Sequence, residues 1–242
     1  MTALLAVNGI SKRFRGLVAV DQVSFEVPEG SIFAVIGPNG AGKTTLFNMI
    51  AGEFRPDGGS ISFAGEKIDG LSPDRICRRG VGRTFQIVKP FPGLSVEDNV
   101  TVGALLRRRT PRDAREWVHQ VLDRLDLYDK RHQIAASLTL PDRKRLEVAR
   151  AIATEPKLLL LDEVMAGLRP TETDRMVDVF RRLNREHGVT ILLIEHVMRA
   201  VMALASRILV LHHGAAIAEG APEQVVRDQA VIDSYLGAEA LT

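Results

Sequence analysis

The stretch GPNGAGKTT, residues 37–45, restricts this chain more than any other. It fits the pattern G-x-x-x-x-G-K-[ST], follows the apolar run SIFAVI and opens into TLFNMIAG. A strand that runs into a glycine-rich turn and then a helix is the setting in which such a loop cradles phosphate. Gly37, Gly40 and Gly42 let the backbone come close to phosphate oxygens. Pro38, Asn39 and Ala41 complete the loop, whose amides form an anion nest capped by the positive end of the following helix. In this pattern Lys43 reaches the β- and γ-phosphates, Thr44 offers its hydroxyl to Mg²⁺, and Thr45 supports the phosphates.

The remaining pattern agrees with an α/β fold. Residues 4–7, 22–27, 31–36 and 60–63 read as strands between turn residues such as VPEG and RPDGG. Residues 112–127 place Ala114, Trp117, Val118, Val121, Leu122 and Leu125 on one helical face. Pro141 suits the first turn of a helix through RKRLEVARAIA. KLLLLD reads as a buried strand, followed by a helix opened by Pro170 and closed by Gly188. VTILLIEH and RILVL are further buried strands, and two short helices end the chain. Helices that alternate with fully apolar strands imply a mostly parallel sheet covered on both faces.

At 242 residues the chain can bury a full core, and no repeat or linker divides it. A net charge of +2 implies no field for nucleic acid. The runs Arg107-Arg108-Arg109 and Arg143-Lys144-Arg145 read as solvated surface. Cys77 is the only cysteine, which excludes a disulfide framework and fits a reducing compartment. The opening MTALLAVNGISKRF lacks the apolar core of a signal peptide. No apolar run approaches the ~18 residues that span a bilayer, so work at a membrane would need another chain.

A second cluster completes the phosphate chemistry. Asp162 ends the strand KLLLLD, where its carboxylate meets the Mg²⁺ shell, and Glu163 beside it can polarise an attacking water. Gln86, in RTFQ, senses the γ-phosphate side through water or metal. His196, after LLIE, can hydrogen-bond the γ-phosphate and the water, with Glu195 read as structural. Phe14, in SKRFRG, is a platform for the adenine ring, or else an ordinary edge phenylalanine.

Phe14, GPNGAGKTT, the Gln86 loop, the helix after Pro141, LLLLDE and His196 together resemble the nucleotide-binding subunit of ATP-binding cassette (ABC) transporters. The likeness covers essentially the whole chain. The stretches KRFRGLVAVDQVSFEVPEGSIFAVIGPNGAGKTTLFNMIAGEFRPDGGSI, GVGRTFQIVKPFPGLSVEDNV and PEQVVRDQAVIDSYLG are similar to the ATPases of branched-chain amino acid importers, a group that also serves urea and amides. The resemblance implies a P-loop ATPase core over 1–85 and 155–242, with an N-terminal antiparallel β subdomain, and a helical subdomain over 86–154. It implies ATP and Mg²⁺ as ligands and a second ATPase subunit, identical or different. Two permeases would be contacted through 87–99, with Val88, Phe91 and Pro92 foremost. A periplasmic binding protein would feed them, and the chain would lie on the cytoplasmic face of the plasma membrane.

Family members hydrolyse ATP between the phosphate loop of one subunit and a signature segment of the other, usually LSGGQ or LSYGQ. Here the aligned residues are Leu138, Thr139, Leu140, Pro141 and Asp142. Thr139 keeps a hydroxyl for the γ-phosphate, Pro141 lacks an N–H, and Asp142 is expected to repel phosphate. Arg169 stands where the family has aspartate. The chain's own phosphate residues are intact and its signature is altered, so in a heterodimer one site is expected to hydrolyse and the other to turn over slowly. The alternatives are a variant that works normally, a lipopolysaccharide-type exporter ATPase, or a regulatory subunit with weak hydrolysis. A soluble ABC ATPase of translation or DNA repair would carry two cassettes or a coiled coil, and this chain has neither.

Overall fold

A computed structural model of the protein describes residues 3–86 and 89–239. Two long strands, β1 (Ala3–Phe14) and β2 (Leu17–Pro28), lead into β3 (Ile32–Ile36) and helix α1 (Lys43–Ile50). Next come β4 (Gly58–Phe63), β5 (Glu66–Lys67), α2 (Pro73–Arg79) and β6 (Val81–Arg83). Helices α3 (Val96–Ala104), α4 (Pro111–Arg124) and α5 (Leu140–Ile152) precede β7 (Leu158–Asp162) and α6 (Pro170–His187). The last elements are β8 (Thr190–Ile194), α7 (Met198–Leu204), β9 (Arg207–His212), β10 (Ala215–Gly220), α8 (Pro222–Val225) and α9 (Gln229–Glu239).

Packing groups these elements into two compact units, residues 1–76 with 190–242, and residues 77–189. The stretch 86–154, expected to be helical, lies within the second. In the first unit an antiparallel sheet runs in the order β2-β1-β4-β5. Its inward residues, among them Leu5, Val7, Ile10, Val23 and Phe25, alternate with exposed ones and are buried. Beside it, β3 lies parallel to both β8 and β9, with β10 antiparallel to β9. Every residue of β3 and β8 is buried, which is why both segments read as unbroken apolar runs. The half-buried, alanine-rich β10 carries no such pattern and escapes sequence reading.

In the second unit β6 and β7 pair in parallel. Ala114, Val118, Val121, Leu122 and Leu125 are fully buried, as their helical spacing predicts. Trp117 sits at the rim of that face. Its indole N–H donates to the Ala153 carbonyl at 3.1 Å, and the guanidinium groups of Arg108 and Arg124 lie 5.3 and 4.9 Å from the ring centre. Helix α6 carries Pro170 in its first turn and ends at Gly188, whose φ of 65° closes the helix without a Cβ clash.

The basic runs are solvated surface only in part: Arg107, Arg109 and Arg143 are exposed, Arg108 and Arg145 are half-buried and Lys144 is buried. Arg107 donates to the Arg78 carbonyl at 2.7 Å and Arg108 pairs with Glu155 at 3.0 Å. Lys144 is buried, with its ammonium 3.3 Å from the Glu163 carbonyl, and Arg145 lies 3.6 Å from Asp142. Long basic side chains bury their stems and bring the charge to a partner, so sequence clustering alone misplaces them. Among the described residues no helix is long and apolar enough to cross a membrane.

Candidate functional site

The first unit carries the phosphate loop. Beyond β3 the backbone enters left-handed conformations at Gly37 (φ 148°), Gly40 (79°) and Gly42 (101°). A Cβ on Gly37 would lie 2.1 Å from the Leu211 carbonyl oxygen, and one on Gly42 would lie 2.3 Å from that of Ala19. The loop is thus pressed against the backbones of β9 and β2. The turn after β9 secures it further: the Gly214 N–H donates to the Ala41 carbonyl at 3.1 Å, and the Gly214 carbonyl accepts from Asp21 at 2.8 Å. Gly42 puts no side chain over the start of α1, so the helix N-terminus stays open toward an anion.

Lys43 is largely buried, and its ammonium donates to the carbonyls of Gly37 and Pro38 at 2.7 and 2.9 Å. The charge therefore spans the loop. Thr44 is exposed and Thr45 half-buried in the first turn of α1, while Asn39 and Gly40 form the outer bend. His196 is exposed in the connection from β8 to α7, and the neighbouring Glu195 is buried. Phe14 ends β1, half-exposed, with its ring edge-on to Phe54 at 5.3 Å and the Lys12 ammonium 5.6 Å from its centre. Tyr235 of α9 also reaches this region: burial raises its phenol pKa, and the nearby Gly37 N–H opposes that rise.

The second unit carries the acidic pair. Asp162, the last residue of β7, is 2% exposed and lies 3.3 Å from the Arg83 guanidinium. Its backbone N–H donates to the Thr84 hydroxyl oxygen at 3.1 Å. Glu163 adopts a φ of 49°, a left-handed conformation costing about 1 kcal/mol or more for a side chain of this kind. The Gln86 amide donates to its carboxylate at 2.8 Å, and Lys144 braces its carbonyl. Sequence reading selects Gln86 from RTFQ and passes over Arg83 and Thr84. The missed signal is that β6 pairs with β7, so RTFQ runs beside the end of LLLLD.

The signature segment departs from expectation. Thr139 caps α5, its hydroxyl oxygen accepting from the Asp142 N–H at 3.4 Å and its proton going to the Asp142 carboxylate at 2.7 Å. Asp142 does not project outward as a repelling charge. It is 5% exposed and held by Thr139, Lys130 and Arg145. Arg169 precedes α6, its backbone N–H donating to the Glu172 carboxylate at 2.8 Å.

Within the expected permease-facing stretch, Ile87 and Val88 lie outside the described residues. Phe91, Pro92 and Leu94 are exposed. The buried Asn99 side chain ties the segment down, accepting from the Phe91 N–H at 2.8 Å and donating to the carbonyls of Phe91 and Ser95. Arg150 of α5 donates to the Lys89 carbonyl at 2.9 Å and lies 4.9 Å from the Phe91 ring centre. Glu147, one turn earlier, is buried, and burial raises its pKa against the opposing effects of Arg150, the Phe85 N–H and Lys144. A carboxyl that holds its proton more tightly when folded adds stability below its unfolded pKa and loses it as pH rises through the folded value. Unfolding free energy is therefore expected to fall as pH climbs from about 4.3 through that raised value, and Glu147→Gln should flatten the fall. Denaturant melts of both proteins at a series of pH values check this; parallel curves would refute it.

The donor chemistry fits a nucleotide with a hard cation. In the first unit, backbone amides, an ammonium and the Thr44 hydroxyl suit a triphosphate and its cation; in the second, the Asp162 carboxylate and the Gln86 amide oxygen are ligands of the type Mg²⁺ takes.

Residues 20–166 match the ABC transporter family, and residues 217–240 match the C-terminal segment of branched-chain amino acid ATP-binding cassette transporters. The chain is 41% identical to the high-affinity branched-chain amino acid transport ATP-binding protein BraF of Pseudomonas aeruginosa, over 97% of this chain and 98% of that one. It is equally similar to LivG of Salmonella typhimurium, with the same coverage. The lipopolysaccharide export ATP-binding protein LptB of Acidithiobacillus ferridurans is 35% identical over 98% of each chain. Among solved structures, the ADP conformation of an ATP-binding cassette of an ABC transporter superposes with a TM-score of 0.89 at 29% identity, covering 98% of this chain and all of that one. A nucleotide-free cassette gives 0.88 at 29% identity, covering 97% of this chain and 99% of that one.

Proposed function

The chain belongs to the ABC transporter family, and from that premise we propose that it is the ATP-hydrolysing subunit of an importer for branched-chain amino acids or related small solutes. The observation that carries the ATPase reading is the loop at 37–45, forced by Gly37 and Gly42 against β9 and β2 and spanned by the Lys43 ammonium. The match of residues 217–240 to the branched-chain segment supports the importer reading over export.

In this reading residues 37–45 bind the phosphates of ATP, with Lys43 on the β- and γ-phosphates and Thr45 in support, and Phe14 stacks on the adenine. Thr44, Asp162 and Gln86 would hold Mg²⁺, which would supply charge neutralisation at the phosphoryl oxygens. Glu163 orients the attacking water and takes its proton, while His196 hydrogen-bonds the γ-phosphate. Gln86 keeps the Glu163 carboxylate aimed, and Lys144 holds the backbone that carries it. A second ABC ATPase, identical or different, contributes the signature to this nucleotide, and Thr139 serves the other one. Closure is driven by the higher affinity of ATP for the closed pair. Two membrane permeases receive the 87–99 segment, a periplasmic binding protein delivers solute, and the chain works on the cytoplasmic face of the plasma membrane. The helical stretch 86–154 is the part that carries both the signature and the permease contact.

The test is Mg-ATPase activity of the purified chain alone and in complex with its cognate ATPase and permeases. Activity that rises with the partners, and rises again when solute-loaded binding protein is added, is the expected result. A complex that hydrolyses ATP with no response to any loaded binding protein would overturn the importer reading. A complex with no hydrolysis would overturn the ATPase reading.

A further inference from the structure

The altered signature places an anion inside the segment that should receive one. The Thr139 hydroxyl has one proton, and it goes to the Asp142 carboxylate at 2.7 Å. While it is given there, it is not available to a phosphate. The same carboxylate oxygen takes the Lys130 ammonium, and the Arg145 guanidinium lies 3.6 Å from the other oxygen. Lys130 and Arg145 are therefore engaged internally, and the exposed Arg143 donates to the Leu138 carbonyl at 3.0 Å. The amides that follow Leu140 are spent too: Pro141 has no N–H, that of Asp142 faces the Thr139 hydroxyl oxygen, and that of Arg143 bonds the Thr139 carbonyl at 2.9 Å.

We propose that Asp142 is a positioning residue that stands in for the γ-phosphate of the nucleotide held by the neighbouring cassette, keeping Thr139, Lys130 and Arg145 occupied until that phosphate competes them away. The inference rests on the reading that the signature faces the neighbour's nucleotide. It refines the expectation drawn from sequence, because Asp142 weakens that half-site by holding its ligands rather than by repelling phosphate directly. Burial alone would raise the carboxyl's pKa, but the hydrogen bonds from Lys130 and Thr139 outweigh it and hold the pKa below the ordinary value, so the stand-in remains charged at neutral pH.

The experiment measures the half-saturating concentration of β,γ-methylene ATP for the assembled complex of cassettes and permeases. Asp142→Asn keeps the size, removes the charge and releases both cations, and should lower that concentration by about threefold or more. Lys130→Met leaves the carboxylate less compensated beside the phosphate and should raise it by a similar factor. A purely structural role for the cluster predicts the same sign for both variants, with a lower Tm in each, and that result would overturn the proposal. Thr139→Ala separates the two layers of the argument. If it leaves nucleotide affinity unchanged, the signature does not touch nucleotide, and the reading beneath the proposal fails. If it weakens binding while Asp142→Asn does not strengthen it, only the stand-in fails.

Discussion

Replacing Glu163 by Gln is expected to lower ATP turnover in the assembled complex by about two to four orders of magnitude while leaving ATP affinity within a few-fold of the parent. The magnitude is that of removing a positioned general base. The variant is suited to the question because the environment of Glu163 is over-determined. The backbone is held at a φ of 49°, Lys144 reaches its carbonyl, and the Gln86 amide reaches its side chain. Gln has the same shape and can still accept the Gln86 hydrogen bond through its own carbonyl oxygen. It cannot take a proton from water. Single-turnover hydrolysis and equilibrium binding, measured on the same preparation, separate the two quantities. Equal loss of both would mean that Glu163 shapes the nucleotide site rather than acting on the water.

Gly37→Ala should be the most damaging single methyl in the phosphate loop. Its Cβ would stand 2.1 Å from the Leu211 carbonyl oxygen, at a φ of 148° that only glycine adopts comfortably. Strain of about 1–3 kcal/mol adds to an overpacking cost of about 1–3 kcal/mol. At this chain length each kcal/mol lowers Tm by about 2–4 °C. Any relief comes from moving the loop away from β9, which pulls apart the carbonyls that Lys43 spans, so ATP affinity should fall by at least about a hundredfold, or ~2.7 kcal/mol. Gly40→Ala is the control. Its φ of 79° imposes strain, but nothing lies within 4 Å of the new methyl. Thermal melts and ATP titrations of the two variants should therefore differ clearly. Equal effects would mean that left-handed backbone, and not the contact with Leu211, governs the loop.

Much of this site is legible before any coordinates exist, because its chemistry is local in sequence. Residues 37–45 form one turn, and Asp162 and Glu163 are neighbours at the end of an apolar run. The strands β3, β7 and β8 are equally plain, since burial on both faces leaves no polar position to confuse the pattern. The missed residues are those whose role arises from pairing across the chain. Arg83 and Thr84 matter because β6 lies beside β7, and nothing in RTFQ announces that register. Lys144 looks like one member of a basic surface run, yet it is buried and reaches a carbonyl nineteen residues away.

The sequence by itself determined that this chain binds nucleotide phosphate in an α/β fold, because a glycine-rich loop between strand and helix can be built only from consecutive residues with those backbone freedoms. It determined the family as well, through the order of motifs along the whole chain. Only the tertiary structure decided how Asp142 of the altered signature is held. Whether Asp142 faces solvent or turns inward depends on Lys130, twelve residues away and beyond a bend in the chain, being in place to take its charge. A carboxylate is buried only where cations and hydroxyls meet it, and that meeting is set by packing rather than by spacing.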